Sequence, residues 1–273
     1  MSNVVAHAKA EAAPWIERLA RLGYAAVGIV YAVVGILSIA AAFGKRGQTG
    51  DRHDAFQTIL EQPFGKVLLG IVALGLVGYA LWRYVAGIND SERRGSDAKG
   101  WAMRLGSIAR GVMYTVVAVE VIRMVIGSGG GRNHQTAQQG TATVMDKPFG
   151  RWLLAAAGLG VIAYGLWQVV NAWKAKLSKQ LRLGPMQESM RRKIIGVSRF
   201  GIGARGVVFC VIGASLLFAA IRHNPNEARG TSGALQQLAE PAGGMLLAVI
   251  GLGLVAYGIY GFINARYRMI HPG

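Results

Sequence analysis

The sequence predicts an all-α polytopic membrane protein: a bundle of six transmembrane helices made of three parallel two-helix repeats with pseudo-threefold symmetry. Three observations predict this class. The chain of 273 residues is 52% hydrophobic and only 16% charged, whereas soluble domains average about 25% charged residues. Six apolar runs reach spanning length, and two motifs each recur three times. Composition, run length and repetition therefore indicate the same fold class.

Each apolar run can form one spanning helix, because a transmembrane helix needs about 17–25 mostly apolar residues. The runs cover residues 24–43, 67–85, 108–126, 152–170, 206–221 and 245–263, and residues 201–204 can extend the shorter fifth run. Only helices and closed barrels satisfy the backbone in lipid. Continuous apolar runs lack the alternation of a barrel strand, so we predict six α-helices.

The charge distribution predicts the orientation of these helices. Two thirds of the 30 Lys and Arg residues lie in or beside the amino-terminal lead, the second and fourth loops and the carboxyl tail. The positive-inside rule therefore predicts a bacterial cytoplasmic (inner) membrane protein with both termini in the cytoplasm. The net charge of +17 does not indicate nucleic-acid binding, because the basic residues lie between apolar runs rather than on a soluble basic patch.

The two recurring motifs indicate one two-helix unit present three times. The first, R-[LF]-G-x-x-A-x-G, reads RLGYAAVG at 21–28, RLGSIARG at 104–111 and RFGIGARG at 199–206. The second, P-x-G-x-x-L-L followed by L-G-[LV]-x-x-Y, begins at residues 63, 148 and 241. Because each unit crosses the membrane twice, all three begin on the same side and are parallel repeats.

These motifs resemble those of the bacterial membrane family called domain of unknown function 1206. The resemblance covers repeats at 15–90, 100–175 and 193–268, with a cytoplasmic lead at 1–14 and a basic cytoplasmic linker at 176–192. The third repeat departs from the pattern, since Ala242 stands where the others have Phe. The resemblance implies a six-helix membrane protein without an established activity, and it supplies no site residue.

Small residues recur at i, i+4 and i+7 in the first helix of each repeat, so they share one helix face. Helices in lipid associate through close backbone approach. We therefore expect this face to be a packing seam, with a pore lined by small residues as the alternative. The seam positions are Gly28, Ala32, Gly35, Gly111, Thr115, Ala118, Gly206, Cys210 and Gly213.

A tyrosine follows a glycine by four residues in the second helix of each repeat, at Tyr79, Tyr164 and Tyr257. A buried tyrosine hydroxyl requires a hydrogen-bond partner. Either each hydroxyl bonds a neighbouring backbone, or the three converge on a central ligand path.

Glu120 interrupts the third apolar run, and Arg123 follows it by one helical turn. Intramembrane ionisable residues are costly, by about 2.5–3.5 kcal/mol at mid-helix on insertion scales, and mark functional sites. The pair is a candidate intramembrane polar site, or an ion pair near the outer interface.

Five arginines lie near the cytoplasmic ends of the first helices: Arg21, Arg104, Arg110, Arg199 and Arg205. Such side chains snorkel to headgroups, so they are candidate contacts for anionic lipid. If the three repeats pack into a closed ring, the five arginines would also form a vestibule that attracts anions. The basic linker is either a solvated loop or a second contact with anionic headgroups.

No catalytic constellation is present in the sequence. All five histidines lie outside the apolar runs, and the one cysteine, Cys210, has no partner for an internal disulfide. We therefore predict no catalytic activity, no cofactor and no metal.

The partners expected are the lipid bilayer, anionic headgroups and an unidentified protein. The predicted function is a structural or partner- or lipid-binding membrane component; the alternative is a small-solute or ion carrier or channel with its route along the pseudo-threefold axis.

Overall fold

The computed structural model describes residues 2–43, 52–89, 97–127, 136–174, 187–239 and 244–268. Residues 2–14 of the predicted lead belong to the first helix. Residues 176–186 of the predicted linker lie outside the described residues. The helices are α1 (Ser2–Ala42), α2 (Arg52–Leu60), α3 (Gly65–Ile88), α4 (Ala98–Ile126), α5 (Thr136–Met145), α6 (Gly150–Lys174), α7 (Glu188–Arg222), α8 (Thr231–Ala239) and α9 (Gly244–Tyr267).

Six of these helices, α1, α3, α4, α6, α7 and α9, are long and apolar enough to cross a membrane. The shorter of them, such as α3 and α9, have 24 residues and measure about 36 Å at 1.5 Å per residue. This length exceeds the hydrocarbon core of a bilayer, which is about 30 Å thick. The predicted all-α fold with six candidate spans is confirmed.

A short helix precedes the second long helix of each repeat: α2 before α3, α5 before α6, and α8 before α9. In the first two repeats a tight turn follows it, in which Phe64 and Phe149 adopt positive φ angles of 62° and 63°. A side chain in place of Gly65, the next residue, would overlap the carbonyl of Leu60. The repeated P-F-G triplet therefore makes the turn into the long helix.

The first long helix of each repeat packs against the second long helix of another repeat. α1 packs against α9, α4 against α3, and α7 against α6. Within a repeat, α1 packs against α3 and α7 against α9, whereas α4 and α6 of the second repeat make at most marginal contact among the described residues. The six spans thus form a ring, in the order α4, α3, α1, α9, α7 and α6, that is open between its two end helices.

Facing glycines form the contact between α1 and α9. A methyl group added at Gly28 would lie 2.8 Å from the carbonyl oxygen of Gly258, and one at Gly35 would lie 2.6 Å from that of Gly251. Residue numbers rise along one helix as they fall along the other, so the helices are antiparallel. The structure therefore places this part of the seam in a helix interface, where backbones approach too closely for larger side chains.

The contact between α6 and α7 has the same construction. A methyl group at Gly213 would lie 2.8 Å from the carbonyl oxygen of Gly158, and one at Gly206 would lie 2.8 Å from that of Gly165. The thiol of Cys210 lies between these levels, 3.9 Å from the carbonyl oxygen of Ile162. The seam residues of the third repeat therefore face α6.

The contact between α3 and α4 uses a tyrosine instead. A methyl group at Gly111 would lie 2.9 Å from the ring of Tyr84, and the Tyr84 hydroxyl is 3.1 Å from the Thr115 hydroxyl. Ala73 and Ala80 stand at the positions that are glycine in α6 and α9. The remaining two seam residues also lie in the interior or at an interface. Ala118 of α4 is buried, and a methyl group added at Gly258 of α9 would lie 2.9 Å from the methyl group of Ala32.

Candidate functional site

Arg205 of α7 lies inside the bundle and is 5% exposed. Its Nε donates to the Tyr31 hydroxyl at 2.9 Å, and its Nη1 donates to the Tyr257 hydroxyl at 2.7 Å and to Gln168 Oε1 at 3.4 Å. The guanidinium also lies within 5.1 Å of the ring centroids of Tyr31, Phe209 and Tyr257. Residues of α1, α6 and α9 therefore enclose this charge.

Arg83 of α3 is a second interior arginine, 4% exposed. Its Nη2 donates to the Tyr79 hydroxyl at 2.8 Å and to the Tyr24 hydroxyl at 3.3 Å. The guanidinium lies 4.8 Å from the Tyr79 ring centroid, within the range of a cation–π contact. Two guanidinium groups, one on α3 and one on α7, thus lie among tyrosine hydroxyls inside the bundle.

One pair of tyrosine rings accompanies each arginine, and these side chains together are called the arginine–tyrosine cluster: Arg83, Arg205, Tyr24, Tyr31, Tyr79, Tyr114 and Tyr257. The ring centroids of Tyr79 and Tyr114 are 4.6 Å apart, and those of Tyr31 and Tyr257 are 4.7 Å apart. Arg83 contacts Tyr79 directly, and Arg110 of α4 and Arg205 of α7 lie near enough for their charges to contribute to the electrostatic environment of Tyr79.

The repeat explains how the sequence builds this cluster. Residues four apart in a helix lie on the same face, one turn apart. In the second helix of each repeat, the position four residues after the tyrosine is polar in the first two repeats and glycine in the third: Tyr79 with Arg83, Tyr164 with Gln168, and Tyr257 with Gly261. The first and second repeats therefore direct polar groups inward beside their tyrosines.

The hydrogen-bond inventory of Arg205 is incomplete. Arg carries five N–H donors, and no partner for Nη2 is present among the described residues. Over the same ranges no carboxylate contacts this guanidinium, whose hydrogen-bond partners are neutral hydroxyls and an amide. The neighbouring Gln168, 4% exposed, has a buried Nε2 without a partner. Donors on two adjacent side chains are thus available to an acidic group.

The tyrosines predicted as candidates lie in or beside this cluster. Tyr79 and Tyr257 accept hydrogen bonds from Arg83 and Arg205. Tyr164 is half-buried, and its ring lies 5.4 Å from that of Phe209. Arginine side chains, rather than backbone groups, are therefore the hydrogen-bond partners shown for two of the three hydroxyls.

The predicted cytoplasmic arginines divide into two groups. Arg21 pairs with Glu17 at 2.6 Å and donates to carbonyl oxygens at the end of α9; Arg104 donates to those at the end of α3. These two therefore cap the neighbouring helix, while Arg199 is exposed. Cationic groups at helix C-termini are stabilising because they complement the dipole.

The placement of Arg110 and Arg205 differs from the expected headgroup contact. Arg110 is half-buried, with its Nε 2.9 Å from the Gly106 carbonyl oxygen and its Nη2 3.2 Å from the Ser107 hydroxyl. Arg205 is 5% exposed, and its hydrogen-bond partners belong to α1, α6 and α9. Its neighbours provide hydroxyl and amide acceptors, so the side chain need not extend to the lipid surface for solvation.

Glu120 is half-buried and Arg123 is exposed, near the far end of α4. Glu120 lies ten residues beyond Arg110, about 15 Å along the helix. The predicted intramembrane pair therefore lies beyond the cluster on α4, about 9 Å along the helix from Tyr114.

Sequence reasoning missed Arg83, together with Tyr24, Tyr31 and Tyr114 as members of a site. The signal was present: Arg83 is an ionisable residue inside the second apolar run, at the position that Gln168 occupies in the next repeat. An intramembrane arginine that aligns with another intramembrane polar residue indicates an interior polar layer.

Comparison with known proteins agrees with the repeat architecture. The family model described as Domain of Unknown Function (DUF1206) matches residues 22–90, 105–175 and 200–268. The chain is 35% identical over 262 residues to the uncharacterized protein YxxB of Bacillus subtilis (strain 168), covering 95% of this chain and 94% of that protein. No solved structure matches. Three matches that together cover most of the chain show that the protein belongs to the DUF1206 family.

Proposed function

We propose that this multi-pass membrane protein binds an acidic group, a carboxylate or a phosphate, in the arginine–tyrosine cluster inside its helix ring. The observation that carries the proposal is the enclosed guanidinium of Arg205, whose partners are neutral and whose Nη2 has a free donor position within the described residues. Burying an uncompensated charge is costly. An acidic ligand would offset that cost.

The residue types suit anion recognition. Arginine presents planar donors that match carboxylate and phosphate oxygens, and these charge-assisted bonds are stronger than neutral ones. The surrounding tyrosines hold the guanidinium in place through three hydrogen bonds shared by Arg205 and Arg83 at 2.7–2.9 Å. A preorganised donor loses little side-chain freedom when the ligand binds.

The interior packing supports binding ahead of conduction. The Tyr79–Tyr114 and Tyr31–Tyr257 ring pairs pack closely inside the bundle, at centroid distances of 4.6 and 4.7 Å, and this packing favours a filled interior over a conducting route. The protein's role is then to hold a ligand or lipid in the membrane without catalysis, and a protein partner would recognise the loaded form. The excess of basic residues at one end supports a bacterial inner-membrane protein with both termini in the cytoplasm, and reporter fusions at either terminus would test this orientation.

The test compares thermal unfolding of purified protein in a neutral detergent with and without acidic probes. Inorganic phosphate represents a soluble anion and dodecyl phosphate represents an amphiphile, with dodecanol as the uncharged match. A probe at about 100 times its Kd stabilises the folded state by about 2.7 kcal/mol, which corresponds to a rise in Tm of about 5–10 °C for a protein of this size. We expect at least one acidic probe to raise the Tm.

The rise should disappear in Arg205→Gln and persist in Arg222→Gln. Arg222 is a matched control because it lies at the far end of the same helix and pairs with Glu227 at 2.9 Å. If neither probe stabilises the natural protein, or if Arg205→Gln responds as strongly as the natural protein, the binding proposal is wrong.

A further inference from the structure

We propose that the acidic ligand is a bilayer lipid that enters sideways between α4 and α6; this inference rests on the proposed function. The three repeats share small residues at the equivalent positions Gly23, Gly106 and Gly201, yet within the described ranges the long helices pack together in the first and third repeats alone. The open hairpin lies at the two ends of the ring and gives access to the interior cluster from the bilayer.

The closed repeats show which contacts are missing. In the first repeat a methyl group at Gly23 would lie 2.7 Å from the backbone nitrogen of Tyr79, and one at Gly75 would lie 2.7 Å from the Ala26 methyl. In the third repeat the equivalent Gly201 meets Tyr257. Close glycine contacts therefore hold these two hairpins together.

The second repeat retains the glycines without the contacts. Gly106 and Gly160 occupy the equivalent positions, and a methyl group at either would have no neighbouring atom within 4 Å among the described residues. The burial of the two helices is consistent with this lack of contact. The most apolar stretch of 18 residues is 22% buried in α6 and 33% buried in α4, whereas it is 50% buried in α1 and in α9. The faces of α4 and α6 that would meet in a closed repeat are thus open to the bilayer.

The opening leads to cationic and polar groups. Arg110 lies one turn beyond Gly106 on α4, and Tyr164 lies one turn beyond Gly160 on α6; both are half-buried. Gln168, one turn further along α6, contacts Arg205 and has the unpartnered buried Nε2. Gly106 and Gly160 thus border the opening, and the side-chain N–H donors of Arg110 and Gln168 lie further along the same two helices.

The two faces fit an acidic lipid. On α6, Leu153 and Trp167 lie on the same face as Gly160 and are 66% and 51% exposed, so they present apolar surface to an acyl chain. The acidic headgroup would lie at the Arg110 level, and Glu120 is about 15 Å further along α4. A soluble anion would leave the apolar faces uncovered, which is why we favour the lipid.

The experiment fills the opening without disturbing a packed contact. Gly160→Phe places a ring between α4 and α6. Gly70→Phe is the matched control, because a methyl group there also has no neighbour within 4 Å and the residue lies on α3, away from the opening. Binding of phosphatidylglycerol is measured by native mass spectrometry, with phosphatidylcholine for comparison, and dodecyl phosphate by thermal shift.

We expect Gly160→Phe to weaken phosphatidylglycerol binding by about tenfold or more, which corresponds to at least 1.4 kcal/mol. Gly70→Phe should change it by less than about twofold. Phosphatidylcholine should bind more weakly than phosphatidylglycerol to the natural protein, and circular dichroism should show that both variants remain helical. Ala163→Phe, on the same exposed face, replaces Gly160→Phe if that variant does not fold.

Other outcomes overturn the lateral-entry proposal. If inorganic phosphate binds in an Arg205-dependent way and Gly160→Phe has no effect on either lipid, the site takes a soluble anion and the proposed function survives without lateral entry. If Gly160→Phe instead converts a purified dimer to a monomer with unchanged lipid binding, a second copy covers the opening. If no acidic probe binds, both proposals fail together.

Discussion

At the scale of single residues, the main feature is a guanidinium that is enclosed by aromatic hydroxyls instead of reaching the lipid surface. Arg205 is 5% exposed and bonds Tyr31 and Tyr257. A buried charge requires polar partners, and leaving a buried donor unsatisfied costs more than a typical hydrogen bond contributes. The hydroxyl of each tyrosine therefore matters to stability independently of any ligand.

We predict that Tyr31→Phe lowers stability by about 1–3 kcal/mol, because it removes the acceptor of Arg205 Nε from a buried site. Thermal unfolding in detergent measures this as a lower Tm. Tyr84→Phe is the control, since its hydroxyl contact with Thr115 is exposed, and its effect should stay within about 0.5 kcal/mol. Equal shifts in the two variants would show that the Tyr31 hydroxyl does not support the guanidinium.

At the scale of helices, glycines determine which faces approach. α1 meets α9 and α6 meets α7 through glycines on both sides, whereas α4 meets α3 through the ring of Tyr84. Backbone opposite a glycine cannot move aside, but a tyrosine ring can rotate. The same seam position therefore tolerates change differently in the three repeats.

We predict that Gly28→Leu destabilises the protein by about 1–3 kcal/mol or more through overpacking, because its Cβ would lie 2.8 Å from the Gly258 carbonyl oxygen. Gly111→Leu, which meets the Tyr84 ring, should cost less. Gly106→Leu should be neutral or stabilising, because its surroundings are open and leucine favours helix over glycine. The Tm series in detergent tests this order, and a cost for Gly106→Leu as large as that for Gly28→Leu would contradict it.

At the scale of the whole molecule, the ring is held by contacts between repeats and by contacts within the first and third repeats, and it is open within the second repeat. α6 therefore depends on the third repeat, and α4 on the first. The second repeat links two halves of the bundle, while its own helices make at most marginal contact among the described residues.

We predict that a disulfide forms between Ala172→Cys and Gly203→Cys in a Cys210→Ala background. A Cβ at Gly203 would lie 3.9 Å from that of Ala172, within the usual range of about 3.5–4.5 Å for disulfides. Ala109→Cys with Gly160→Cys, across the opening, should stay reduced under the same oxidant. Thiol labelling with a maleimide of high mass measures both, and oxidation of the second pair at the rate of the first would mean that the ring closes.

Much of the architecture follows from local pattern. Run length and continuous apolar character predict six helices because helix formation in lipid is decided within each segment. Repetition predicts three parallel units, and small residues at i, i+4 and i+7 mark a face suited to close approach. Repetition also marks the three equivalent tyrosines as candidate site residues. Arg83 has a weaker signal, because only its alignment with Gln168 of the next repeat indicates an interior polar position.

The sequence by itself determined the membrane class, the six spans and the threefold repetition, since each depends on residues that are near in the chain. Only the tertiary structure decided that Arg205 lies inside the ring, that Arg21 and Arg104 cap neighbouring helices, and that Gly106 and Gly160 have no contacts while their equivalents are packed. These outcomes depend on which distant helix lies opposite. Three similar hairpins carry no local signal that one of them stays open.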